Sequence, residues 1–276
     1  MDLKLAGKTV IVTGASGGIG RGLVQAFAEE SCNVVLASRD EQKMQEVEAT
    51  CSELPGKTLV TVTDVTNPDS VANLIRTTED AFGEVHILVN NAGGVAYPRN
   101  WEDKPADEIE WEIALNIRGV VHCINAVGET MLKRGSGSIV NITSNSALEP
   151  SAGNMVANYA GTKGYVGSMS KALAYEWGPK GIRINCVAPG WIVPYEESHV
   201  GSGSFWRKYG YDFFGTPEQM AAAAESGESM FNVEGQPIQR IGRPEDIADL
   251  TLFLASERAR HLTGQMISVS GGAYMP

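Results

Sequence analysis

The chain has 276 residues, of which 43% are hydrophobic and 20% charged, with a net charge of -11. Those proportions belong to a globular chain and exclude a disordered one. The acidic balance disfavours a nucleic-acid partner, which needs a basic face, and the apolar runs are too short and broken to span a membrane. The opening MDLKLAGKTVIVTG enters a strand-like run without a charged, apolar and cleavable leader, so a soluble cytoplasmic protein is expected. Cys32, Cys51, Cys123 and Cys186 form no C-x-x-C pair. No histidine stands near them at ligand spacing, so neither a metal site nor a disulfide framework is expected.

Taken in order, TVIVT at 9–13 reads as a buried strand followed by a glycine-rich turn. Leu23, Val24, Phe27 and Ala28 then recur with helical spacing. NVVLAS at 33–38 is a second strand and 40–53 a polar helix. A third strand at 58–62 precedes a helix over 67–82, with Asn67 as its N-cap before Pro68. Strand four is HILVN at 86–90, followed by a long helix over 104–133. SIVNIT at 138–143, a helix over 157–177 and IRINCVA at 182–188 come next. A helix over 244–256 and a strand over 265–272 close the chain. Strict alternation with apolar strands predicts an α/β fold, a doubly wound parallel sheet of seven strands with helices on both faces.

Residues 194–237 break this rhythm and carry Phe205, Trp206, Tyr209, Tyr211, Phe213 and Phe214. So long an insertion in one domain spanning 1–276, and so rich in aromatics, reads as a partly helical lid over a substrate.

Four motifs carry chemistry. TGASGGIG at 13–20 joins the first strand to the first helix. Gly14, Gly18 and Gly20 allow a tight turn and close approach of a pyrophosphate, with Ser16 and Ile19 in the same loop, and the helix N-terminus offers free N–H groups. At the tip of strand two stand Ser38 and Arg39. A carboxylate there binds an adenosine 2′-hydroxyl and an arginine accommodates a 2′-phosphate, so the pair favours NADP over NAD. Asp40, one step on, reads as a helix cap. NNAGG at 90–94 ends strand four with small and amide residues, Asn91, Ala92 and Gly93 among them, where strand ends line a ligand crevice. Finally, Tyr159 and Lys163 are four residues apart and leave one face of a helix together.

Together these residues resemble the short-chain dehydrogenase/reductase family, over essentially the whole chain. Thr13 to Gly20, the Asp64-Val65 pair, Asn90 to Gly93, Asn116 within LNIRG, Tyr159 with Lys163, and Pro189-Gly190 carry the resemblance, as does GRPEDIADLTLFLAS near the end. It implies a Rossmann-type fold, a nicotinamide cofactor, a homotetramer built through the two long helices, and a catalytic tetrad of Asn116, a serine, Tyr159 and Lys163. Tyr159 would be the acid in ketone reduction and the base in alcohol oxidation. Its pKa, near 10 when free, would be lowered by Lys163 and the oxidised nicotinamide. Lys163 would also hold the nicotinamide ribose, and Asn116 a water that relays the proton; Asn116 alone also reads as a helix amide bonded to neighbouring backbone.

Two counts compete for the serine. The spacing in the resembled family, about thirteen residues before the tyrosine, lands on Ser146. Position directly after strand five lands on Ser144, and rigid elements hold a site's geometry better than loops. Ser144 is the choice, with Ser146 facing substrate. Trp191, Phe205 and Trp206 are further substrate candidates. Where the family often has a threonine, this chain has Pro194, so the carboxamide would rest on backbone near Ile192 and Val193.

The expected activity is hydride transfer between a nicotinamide cofactor and a small secondary alcohol or ketone, hydrophobic or cyclic. Arg99, Arg207 and Lys208 leave room for an alternative, a 3-oxoacyl thioester. A second alternative, of another class, is a cofactor-binding redox sensor.

Overall fold

The computed structural model describes the chain apart from Met1 and residues 202–203, 205–206, 208–210, 212–214 and 227–235. Seven strands, β1 (Thr9–Thr13), β2 (Asn33–Ser38), β3 (Lys57–Val62), β4 (Ile87–Asn90), β5 (Gly137–Ile142), β6 (Ile182–Pro189) and β7 (Met266–Val269), form one sheet. Their order is β3-β2-β1-β4-β5-β6-β7, with every pairing parallel. The order reverses between β1 and β4, which places a ligand crevice outside the carboxyl ends of those two strands.

Period-two alternation divides the strand side chains between two cores. Val10, Val12, Val34, Leu36 and Val89 face Leu23, Val24 and Phe27 of α1 (Gly18–Glu29) and Ile247 and Leu252 of the last helix (Pro244–Ala255). Ile11, Val35, Leu88, Ile139 and Ile184 point to the opposite face. There they meet α3 (Pro68–Phe82), α5 (Gly119–Arg134) and α6 (Ala157–Trp177). Burying each such side chain stabilises the fold by roughly 1.5–3 kcal/mol.

The predicted caps form. Asn67 accepts from the Asp69 and Ser70 amides at the head of α3, and Asp40 from the Lys43 amide at the head of α2 (Glu41–Ala49). Boundaries differ where a local group competes. Helix α2 stops at Ala49, short of 53, where the Thr50 hydroxyl takes the Val47 carbonyl at 2.6 Å. The helix expected from 104 begins as α4 (Ala106–Ile113), because Lys104 precedes Pro105 and is extended. It then passes through a π turn at Ala114–Arg118 before α5. Strand β7 ends at Val269 rather than 272, ahead of left-handed Gly271 and Gly272. Within 194–237 the structure places helix α7 (Pro217–Ser226); the helix at Pro244–Ala255 is α8. No described helix is long and apolar enough to cross a membrane.

Candidate active site

A cleft of about 640 Å³ opens at the carboxyl ends of β1, β4 and β5. Its floor is the glycine turn. Gly14 (φ 66°) and Gly18 (φ 53°) are left-handed, which only glycine adopts without strain. A methyl on Gly14 would stand 2.9 Å from the Ala92 Cα. The turn is braced from β4: Asn91 donates its side-chain amide to the Thr13 and Gly14 carbonyls, and the Asn91 and Ala92 N–H groups both donate to the Thr13 hydroxyl. Helix α1 begins at this turn with no side-chain cap and no acidic residue in its first turn. Those features fit a dinucleotide pyrophosphate, which needs room for backbone approach and unopposed N–H donors.

Ser16, Ile19, Ser38, Arg39, Asp64 and Val65 all line the cleft at one end. The Ser38 hydroxyl donates to Ser16 at 3.0 Å. Arg39 is exposed, while the Asp40 carboxylate is engaged as the α2 cap at 3.0 Å from the Lys43 nitrogen. Burial raises the Asp64 pKa, but two hydrogen bonds from Thr66 and the Arg39 charge outweigh it and hold the carboxyl below its ordinary value. The segment after β6 crosses here: Val200, Gly201 and Ser204 line the same end. Phe205 and Trp206, named as substrate contacts, lie outside the described residues, as do Lys208, Tyr209, Phe213 and Phe214.

At the other end Tyr159 projects from the first turn of α6. The Ser144 hydroxyl stands beside it on the cleft wall and accepts from both the hydroxyl (2.9 Å) and the amide (3.2 Å) of Ser146. Ser144 and Ser146 both line the cleft beside Tyr159. Thr143 fixes this strand end, since its amide and hydroxyl both donate to the Val187 carbonyl. One helical turn on, Lys163 is buried; its Nζ lies 5.7 Å from the Tyr159 ring centre and donates to the Ile142 carbonyl at 2.9 Å.

Burial sets the electrostatics of the pair. Burial pushes Tyr159 up to about 12; the Ser144 hydrogen bond opposes this and the Glu112 charge adds to it. Burial also brings Lys163 down to about 8, against a smaller opposing effect of Cys186. Desolvation disfavours the charged form of each group and is the largest cause of both shifts. Asn116 closes a two-way clamp on Gly94 with its side chain, accepting from the amide at 2.9 Å and donating to the carbonyl at 2.8 Å. Gly93 lies where Lys163 and Asn116 converge, and a methyl there would meet Lys163 Nζ at 2.9 Å and Asn116 Oδ1 at 3.0 Å.

Pro189, Gly190, Trp191 and Ile192 complete the wall. The expectation for Val193 needs correction. Its amide donates to the Gly242 carbonyl at 3.0 Å, and its own carbonyl accepts from Arg243, because this stretch pairs with 242–243. Of the two residues, Ile192 remains on the cleft wall. Sequence reasoning also missed buried Glu112 and Lys104 and half-buried Asn158, which form a polar cluster beside Tyr159. A signal existed: Ile109, Glu112, Ile113 and Asn116 share the helical i, i+3, i+4, i+7 stripe, so two polar residues stand on a core-facing face.

Residues 8–197 match the short chain dehydrogenase family, and residues 213–274 match a family described as enoyl-(acyl carrier protein) reductase. The chain belongs to the short-chain dehydrogenase/reductase family and is an oxidoreductase acting on CH–OH groups with NAD(P). It is 35% identical to an L-fucose dehydrogenase of Bos taurus, over 99% of this chain and 92% of that protein. It is 34% identical to a 3-oxoacyl-[acyl-carrier-protein] reductase of Staphylococcus epidermidis, over 97% of this chain and 99% of that one. A crystal structure of a short-chain type dehydrogenase/reductase from Mycobacterium marinum superposes with a TM-score of 0.81 at 30% identity, covering 99% of this chain and 98% of the other.

Proposed function

We propose that the chain interconverts a hydrophobic or cyclic secondary alcohol and its ketone with NADP(H), using Tyr159, Ser144, Lys163 and Asn116. The observation that carries this reading is the convergence of Ser144, Tyr159 and Lys163 on one wall of the cleft, with Lys163 Nζ 5.7 Å from the Tyr159 ring centre. The cofactor, when bound, supplies or accepts the hydride. Tyr159, held as a phenol by burial, donates its proton to the carbonyl oxygen in reduction. Ser144 hydrogen-bonds the same oxygen and orients it. Lys163, with its pKa near 8, carries a proton at neutral pH and sits where a ribose hydroxyl would lie. Asn116 sits in a π turn where the Gly119 amide bonds the Ala114 carbonyl, an interruption of the regular ladder beside which a relay water would be held.

Three observations support NADP over NAD: Ser38 at the strand tip, exposed Arg39 on the cleft, and the Asp40 carboxylate engaged in capping. The described start of 194–237 lies along the cleft, which supports its reading as a lid within one domain. A homotetramer through α5 and α6 is supported by the outer side of α6. Tyr165 and Tyr175 are exposed there, and a methyl on Gly161 or Gly164 would meet open space. A cytoplasmic location is supported by four buried, unpaired cysteines.

The 3-oxoacyl thioester reading is favoured by the Staphylococcus epidermidis relative and by exposed Arg207, which could meet an anionic tail. A redox sensor has no need of Tyr159 and Ser144 in contact. The test follows nicotinamide absorbance with aliphatic, cyclic and aryl ketones and a 3-oxoacyl thioester, each with NADPH and NADH. Turnover lost in Tyr159→Phe supports the enzyme. Equal cofactor binding by both proteins without turnover on any member of the panel would favour the sensor.

A further inference from the structure

We propose that Glu112 is a positioning residue for the reaction, bracing the wall of the cleft against the first turn of α6 so that Tyr159 is set for proton transfer. This rests on the reading of Tyr159 as the proton donor. Glu112 is 0% exposed on α4. Its Oε1 accepts from the Ala96 amide at 2.8 Å and from Lys104 Nζ at 3.2 Å; its Oε2 accepts from Asn158 Nδ2 at 2.6 Å. Ala96 stands between Val95 and Pro98, which line the cleft, and Asn158 immediately precedes Tyr159. One carboxylate thus joins the two sides between which a substrate carbonyl would sit.

The Lys104 side chain is 1% exposed and is held between Glu112 and Glu108, the latter at 3.9 Å. Taking such a pair from water costs so much that apolar residues of equal volume are often as stable. Fold stability alone is therefore a weak reason for it. The charged groups facing Tyr159 are Lys163 from its own helix and Glu112 from α4, with Lys104 behind Glu112. The negative charge of Glu112 favours the phenol over the phenolate, which keeps Tyr159 loaded as a proton donor.

The test compares Glu112→Gln with the native enzyme. The amide keeps the shape and an acceptor for Ala96 but sets an NH2 group against that of Asn158. A fall in kcat of about tenfold is expected from the loosened geometry, with cofactor affinity by fluorescence titration unchanged. In alcohol oxidation, where Tyr159 must deprotonate, the rising limb of the kcat profile should move to lower pH. Glu112→Gln combined with Asn158→Asp reverses the bond and should recover kcat. Asn158→Ala removes the brace but keeps the Glu112–Lys104 pair. It should lower kcat without moving the limb, and it serves where Glu112→Gln does not fold. A lowered melting temperature with unaltered kcat and pH profile would overturn the proposal and leave Glu112 a fold residue. Turnover surviving in Tyr159→Phe would instead overturn the catalytic reading on which it rests.

Discussion

Tyr159 and Lys163 stand in a desolvated corner that favours the neutral form of each, with pKa values of about 12 and about 8. The consequence for reduction is directional. A phenol with a raised pKa stays protonated throughout the working range, whereas Lys163 is charged below about 8 and neutral above it. Reduction should therefore decline as pH rises through about 8, and Lys163→Met should be slow and lack that limb, measured as kcat against pH. The serine choice is equally testable. Ser144 touches the phenol and Ser146 touches Ser144. Ser144→Ala should lower kcat by about 10²-fold, the usual cost of losing an oriented donor to a developing oxyanion. Ser146→Ala should mainly change KM. Equal kcat losses from both would show that the two hydroxyls act as one unit.

At the scale of elements, the site depends on loops being held by side chains of their neighbours. The Asn91 amide secures the β1 turn and the Asn116 amide secures Gly94. A buried ladder from Asn90 through Asn141 to Ser170 ties β4 and β5 to α6, at 2.8 Å for each step. Helix α6 therefore delivers Tyr159 and Lys163 from a fixed base. Gly93→Ala tests the convergence point: its methyl would crowd Lys163 Nζ and Asn116 Oδ1. Circular dichroism should stay native while kcat falls by about tenfold or more, because small displacements of a catalytic group are costly. Native kcat in this variant would mean that the Gly93 neighbours move aside freely.

For the whole molecule, two expectations concern stability and assembly. His86 Nδ1 accepts the Thr9 amide at 3.1 Å, a contact between β1 and the head of β4. Burial, and then Lys8 and Arg134, lower its pKa. The unfolded chain then takes up the proton first as pH falls below the ordinary value of 6.5. Stability should drop as pH falls from there through the folded-state pKa. Urea midpoints at neutral and acid pH should show that loss, and His86→Gln should shrink it. For assembly, Tyr165→Glu on the exposed side of α6 should give a smaller species by light scattering than the native chain. An unchanged mass would remove α6 from the interface.

The fold was legible because its signals are local. Period-two and period-3.6 patterns, the Asn67 and Asp40 caps, and the glycine turn after β1 are all set by neighbours in the chain. So are the Tyr159–Lys163 spacing and the strand-end position of Ser144, which is why these candidates could be named from sequence. The remainder depended on groups distant in sequence. No local pattern tells that the Asn116 side chain closes on Gly94, 22 residues away, or that Arg243 reaches back to Val193 across 50. Nor does it tell that Glu112 meets Asn158 across 46 residues. The Tyr159 shift has the same origin, since desolvation is a property of packed surroundings. Neighbours along the chain set the elements, their order and the residue types offered to the site. Packing between distant segments sets which polar groups pair once water is excluded, and with that the charge and position of the groups around Tyr159.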